Sequence, residues 1–207
     1  NDDIRAGLNV PPALGRLMKL SEGQIANAIG ICASHCLPLG ILDADREELT
    51  MMKNLRFGIV AYQAILACLL AKRGFTGPVR VVEGNSGLRD VILQGDMDLE
   101  RLTDFSGWRI LNTRHKYLSA NGSSLGYLLA TLDLVKEHDL RPEEIEAVRI
   151  KACVRECSHT TTPAKKYART AENADHSAHY MTAIAIKDRT IGPEQFTPEK
   201  FTDPTVL

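Results

Sequence analysis

An excess of charge of one sign is missing from this chain: 25 basic residues stand against 26 acidic ones, for a formal net charge of −1. Without a basic field there is nothing to hold a nucleic-acid backbone, and without a charged tail nothing to hold a charged polymer. A long uninterrupted apolar run is missing too. The longest, Phe57 to Ala71, falls short of the ~20 residues that a membrane span needs and has charges close by, so it reads as a buried helix. Five cysteines, an odd number, do not make a disulfide framework at this length, and reduced intracellular thiols are the simpler reading. The opening "NDDIRAGLNVPP" lacks the apolar stretch of a signal peptide. Internal repeats, low-complexity tracts, a nucleophile elbow, GxGxxG, HExxH and CxxC are all absent. What remains is 44% hydrophobic and 207 residues long, enough for a sizeable core in one large domain or two small ones.

The first half has helical punctuation. A short polar lead reaches Pro11 and Pro12, and helical pattern follows at once. Ser21 and Gln24 have capping-box spacing, after which Ile25, Ala28, Ile29, Cys32 and Cys36 fall on one face. Cys32 and Cys36 beside His35 could suggest a metal site, but cysteines four apart on an apolar face are usually core, and no second ligand pair has suitable spacing. A second helix should run from near Thr50 to about Arg73, apolar nearly all round and therefore inside a helical layer. Gly74 and "GFTGP" end it.

The pattern changes near Asp104. "WRILNTRHKY", with Ile110, reads as a strand, and Ser123 to His138 as an amphipathic helix. In "RPEEIEAVRIKACV" a turn precedes alternation that puts Val148, Ile150, Ala152 and Val154 on one strand face. A polar loop and the helix "AENADHSAHYMTAIAIK" follow, then a tail punctuated by Pro193, Pro198 and Pro204. This order predicts a helical domain over 1–104 and an α+β domain over 105–207.

Candidate chemistry gathers at few places. Lys53 sits between methionines and an apolar run, where it is either a helix-start lysine covering apolar surface with its stem or part of an anion site. Lys116 precedes a small polar turn. In "ADHSAHY" helical spacing pairs Asp175 with His179 and His176 with Tyr180, a plausible acid/base set. Arg155, His159, Lys165, Lys166 and Arg169 form a basic loop, a solvated face unless its cations converge with Lys53 and Lys116. Converging, they would suit a small polycarboxylate, since Arg grips carboxylate bidentately and Lys as a point charge.

The run "EELTMMKNLRFGIVAYQAILACLLAKRGFTGPVRVVEGNSGL" is similar to the signature region of the MmgE/PrpD family, which includes 2-methylcitrate dehydratase, cis-aconitate decarboxylase and iminodisuccinate epimerase. "HSAHYMTAIAIKDRTIGPEQF" and "LRPEEIEAVRI" resemble that family's later helix and its turn-plus-strand, so the likeness covers nearly everything from Ser21 onward. The resemblance implies a mainly helical domain followed by an α+β lid closing over a cleft, a homodimer, and lyase chemistry without metal or organic cofactor. By position Lys53 matches the family's cleft lysine, Lys116 the lysine opening a lid segment, and His176 and Tyr180 the lid helix; these four are the expected catalytic residues. Asn121 stands near the place of a family histidine and, with Arg155 and His159, is expected at the substrate. Two departures are plain. Neither Asn121 nor Leu125 can transfer a proton as that histidine would, and the family's long upstream segment and its C-terminal helical return are not in this sequence, which reads as an internal portion of a longer polypeptide.

The function expected is that of a lyase of the 2-methylcitrate dehydratase kind, acting on a small di- or tricarboxylic acid by loss of water or carboxylate. The alternatives are an isomerase or epimerase of an amino-dicarboxylate, or a non-catalytic family member. The expected location is cytoplasmic, or the mitochondrial matrix in a eukaryote, with neither nucleic acid nor membrane as partner.

Overall fold

Two adjacent prolines normally end a helix, because each removes an N–H and crowds the preceding turn. Helix α1 (Asp2–Leu17) nevertheless runs through Pro11 and Pro12, where the sequence shows only a polar lead. Pro11 is fully buried, and packing on α2 (Glu22–Ala33) keeps the helix going where local propensity would not. The computed structural model describes residues 2–35, 38–92, 94, 95, 98, 100, 103, 104 and 106–206, without the side chains of 2–5, 109, 155 and 156. The chain forms two compact units: residues 1–40 with 54–112, and residues 41–53 with 113–207.

In the first unit α2 begins with the capping box that its spacing predicts: Gln24 N–H donates to Ser21 Oγ at 3.3 Å, and Ser21 N–H to Gln24 Oε1 at 3.0 Å. Cys32 is buried core, and Cys36 lies outside the described residues. Helix α3 (Met52–Lys72) buries Val60, Ala64, Ala67, Cys68 and Ala71, a stripe of small side chains at helical spacing, in a core with Leu20, Ala28 and Cys32. The small residues let the backbones approach, and the Cys68 thiol donates to the Pro11 carbonyl. A short helix α4 (Leu88–Val91) follows the glycine-rich turn and packs Leu88 with Leu8 and Ala33. The expectation that α3 is covered all round does not hold. Leu55, Phe57, Tyr62, Ile65 and Leu69 are each about half exposed or more. Apolar composition reports what could be buried, and the stripe from Val60 to Ala71 is what is buried. At 21 residues α3 is also long and apolar enough to cross a membrane by length and composition, a test that core helices pass too.

"GFTGP" crosses α2 at close range. A Cβ on Gly77 would lie 2.5 Å from the Asn27 carbonyl oxygen, and one on Gly30 2.6 Å from that of Pro78, while Gly77 N–H donates to Asn27 Oδ1. Gly77→Ala is therefore expected to cost about 1–3 kcal/mol through overpacking against backbone that cannot yield. An unchanged urea midpoint would contradict the tight crossing.

The second unit is held by α5 (Leu125–Glu137) and α9 (Ala178–Asp188), with α6 (Val154–Thr160), α7 (Pro163–Lys166) and α8 (Ala171–Ala174) between them in sequence and α10 (Pro198–Phe201) after. Leu128 and Leu132 meet Tyr180, Met181, Ile184 and Ala185, and Phe201 and Val206 close the core. Ser177 caps α9 by accepting from Tyr180 N–H at 3.1 Å. Arg189 ends α9 in the left-handed region at φ 56°, held there by Asp139 at 2.6 Å and the Leu140 carbonyl at 3.0 Å.

The α+β reading of residues 105–207 is overturned, since no strand or sheet occurs among the described residues. Residues 109–112, including Ile110, form a 3₁₀ turn. Residues 147–153 have no regular structure, and Val154 opens α6 at 85% exposure. A strand needs a neighbour to share its hydrogen bonds. The alternation of Val148, Ile150 and Ala152 reflects something else: all three line a groove of about 580 Å³ with Tyr127 and Ile186.

Candidate active site

Leu49 is almost completely buried, and its N–H donates to Asn173 Oδ1 at 2.9 Å, while Asn173 Nδ2 donates to Glu48 Oε1. Asn173 is itself wholly buried in α8, so a side-chain amide fixes the segment leading into α3. Lys53 N–H then donates to the Thr50 carbonyl and starts the helix. This brings Lys53 to the turn between α8 and α9. Its Nζ lies 3.3 Å from His176 Nδ1 and 3.7 Å from Asp175 Oδ2, with the side chain 11% exposed. His176 Nδ1 lies 2.5 Å from Asp175 Oδ1, so a neutral ring donating there carries its lone pair on Nε2.

Asp43 Oδ1 stands 3.8 Å from that Nε2 and 3.9 Å from Nε2 of His159. The two imidazoles meet edge to face with centroids 5.2 Å apart. His159 Nδ1 is held by Asp45 at 2.8 Å, which keeps the Asp45 carboxyl below its usual range. Beneath them Lys165, fully buried, donates to the carbonyls of His159 at 3.0 Å and Ala44 at 3.3 Å, and Thr162 Oγ1 donates to the Asp45 carbonyl. Burial pushes the Lys165 ammonium below its usual range, and the charges of Asp43 and Asp45 oppose this. All of these residues belong to the second unit.

Of the expected residues, Lys53, His176 and His159 come together here. Asn121 is adjacent: its N–H donates to the Asp175 carbonyl at 2.9 Å, and its side chain caps the turn at Ser123. Lys116 is exposed, with Nζ donating to the Ala120 carbonyl beside Asn121. Tyr180 is not in the cluster. Its hydroxyl donates to the Gln195 carbonyl within the core, and burial, with Asp188 and Asp203 nearby, pushes it up to about 12. His179 lines the groove instead. The side chain of Arg155 lies outside the described residues. Asp43, Asp45 and the clamping role of Lys165 were not foreseen. The only trace of them was the pair of aspartates in "LDADREEL", ten and eight residues before Lys53.

Burial, more than the charge of Lys53, pushes His176 below its usual range, while Asp175 and Asp43 oppose the shift. His176 is thus neutral at pH 7, the form that accepts a proton. The unfolded chain protonates this histidine near pH 6.5 and the folded chain only lower, so folding stability falls as pH drops below about 6.5 and stops falling once the folded value is passed. His179, also lowered mainly by burial, acts in the same direction. Urea midpoints should decrease between pH 7.5 and pH 5, less so in His176→Asn. Identical pH slopes in the two proteins would contradict the burial of a neutral ring.

Comparison with protein families matches the MmgE/PrpD N-terminal domain over residues 8–100 and the MmgE/PrpD C-terminal domain over residues 122–207. Among curated proteins no relative matches. The first family match carries Asp43, Asp45 and Lys53, the second His159, Lys165, Asp175 and His176, while Asn121 falls between the two. With both domain models matched in sequence, the chain belongs to the MmgE/PrpD family, which is 2-methylcitrate dehydratase-like.

Proposed function

We propose that the cluster serves a lyase reaction on a small di- or tricarboxylic acid, with loss of water as the favoured chemistry. One observation carries this reading: a largely buried ammonium, Lys53, beside an imidazole whose Nδ1 is committed to a carboxylate. A substrate carboxylate takes the Lys53 ammonium as its counter-charge. His176 Nε2 accepts the proton from the carbon next to that carboxylate. The charge that develops on the resulting enolate is held by Lys53, and such fixed electrostatic stabilisation is commonly the largest catalytic contribution. The carbon–oxygen bond then breaks, the alkene forms, and the imidazolium returns its proton to the departing hydroxide as water. Asp175 holds the ring and steadies its cationic form. Lys116, tethered next to Asn121, supplies a second cation for a polycarboxylate.

Proton NMR of 2-methylcitrate, citrate, cis-aconitate or an amino-dicarboxylate incubated with the protein in D₂O separates the readings. Loss or addition of water across the double bond supports the lyase. Deuterium entering at the carbon next to a carboxylate of an amino-dicarboxylate, with no alkene formed, would favour the epimerase. Substrates recovered unchanged would oppose both.

A further inference from the structure

The two histidines of the cluster are arranged alike, although they come from different helix ends. Each commits Nδ1 to its own aspartate, His159 to Asp45 at 2.8 Å and His176 to Asp175 at 2.5 Å. Each turns Nε2 towards one shared oxygen, Asp43 Oδ1, at 3.9 and 3.8 Å. A histidine that ligates a metal commonly donates its other ring N–H to a carboxylate, which fixes the tautomer and raises the basicity of the ligating nitrogen. Here that outer support is present for both rings. The three donor atoms lie within 4.8 Å of one another. Tetrahedral zinc, with bonds of about 2.1 Å, spaces its ligand atoms about 3.4 Å apart, so each Asp43–histidine pair needs to close by only about half an ångström. The local charge agrees. Asp43, Asp45 and Asp175 are three carboxylates against the two ammoniums of Lys53 and Lys165, which leaves a net negative charge with neutral rings. The loop carrying Asp43 is also fixed from below, since Lys165 and Thr162 hold the carbonyls of Ala44 and Asp45.

We propose that Asp43 Oδ1, His159 Nε2 and His176 Nε2 form a binding site for a divalent transition-metal ion of the zinc type. Two imidazoles and one carboxylate suit such an ion better than magnesium or calcium, which favour all-oxygen ligands. The lyase reading needs no metal. An ion here takes the Nε2 lone pair which that reading gives to proton transfer, so bound zinc inhibits that chemistry; this consequence alone rests on the lyase reading.

The test titrates the 207-residue chain with Zn²⁺ alone, by calorimetry and by imidazole ¹⁵N NMR. Saturable binding at one equivalent is expected, with shifts confined to His159 and His176. Asp43→Asn, which keeps the shape, should weaken binding tenfold or more, and Asp45→Asn, which leaves all three donors, by about 10–100-fold. The proposal is overturned by absence of saturable binding, by affinity unchanged in Asp43→Asn, or by shifts at His35, His115, His138 or His179 instead. Loss of binding in a Cys153→Ser/Cys157→Ser variant would also overturn it, since those thiols are four residues apart on α6 and its cap. Because the NMR arm uses the unmodified chain, a variant that fails to fold does not blunt the test. Because no substrate is present, failure here leaves the carboxylate reading standing, and failure of turnover leaves the metal site standing.

Discussion

Replacing Lys165 with methionine is expected to cost about 3–5 kcal/mol of folding stability, the range found when one partner of a buried charged network is removed. Lys165 is wholly inaccessible, and its ammonium donates to two carbonyl oxygens, that of His159 and that of Ala44, the latter also accepting from Glu47 N–H at 3.4 Å; a methionine thioether can donate to neither. Its charge also faces Asp43 and Asp45, which would otherwise stand together without that nearby cation. Methionine retains much of the volume, so a large loss would come from the polar groups and not from a cavity. For a domain of this size that corresponds to a melting temperature lower by about 6–20 °C. Calorimetric unfolding of the two proteins gives the answer, and a change under 1 kcal/mol would show that the clamp contributes little. The same substitution releases the His159 backbone, so the contact between His159 and Asp45 should loosen with it.

Lys53→Ala is expected to weaken binding of citrate or 2-methylcitrate by about 10- to 150-fold, since a hydrogen bond to a charged group contributes about 1.5–3 kcal/mol. The shielded position of Nζ, with 11% of the side chain exposed, argues for the upper part of that range. A second effect distinguishes this account from a general loss of positive charge. The Lys53 ammonium helps to push His176 down, second to burial among the influences acting that way, so its removal should raise the histidine's pKa. Titration of the His176 imidazole by NMR reads this directly. Unchanged affinity together with an unchanged histidine would detach Lys53 from the site.

Local signals in the sequence led to local structure. The Ser21–Gln24 box, the helix ending near Arg73 and the helix through Leu128 all follow from contacts within a turn or two, and the fold contains them. What failed depended on neighbours distant in sequence. Val148, Ile150 and Ala152 alternate as a strand would, but all three are exposed along an open groove and no neighbouring strand pairs with them among the described residues. Helical spacing pairs Asp175 with His179 and His176 with Tyr180 only along one continuous helix. Ser177 in fact interrupts it as the cap of α9, so Asp175 and His176 lie in the turn before that helix, His179 lines the groove and Tyr180 enters the core. Lys53 stands out in sequence for its apolar neighbours, but the groups beside its ammonium are polar, His176 at 3.3 Å and Asp175 at 3.7 Å, while Met51 and Leu55 are exposed. Lys165 sat in a run of cations that reads as a solvated face; only the three-dimensional fold turns it inward while Lys166 and Arg169 stay exposed.

The most direct measurement is a crystal structure of the protein with bound citrate. The expected result is a citrate carboxylate within about 3 Å of Lys53 Nζ, hydrogen-bond distance for a charged pair, with the rest of the molecule towards His176. Citrate held only by exposed lysines such as Lys116 or Lys166, with Lys53 still turned to Asp175 and no ligand near His176, would contradict it.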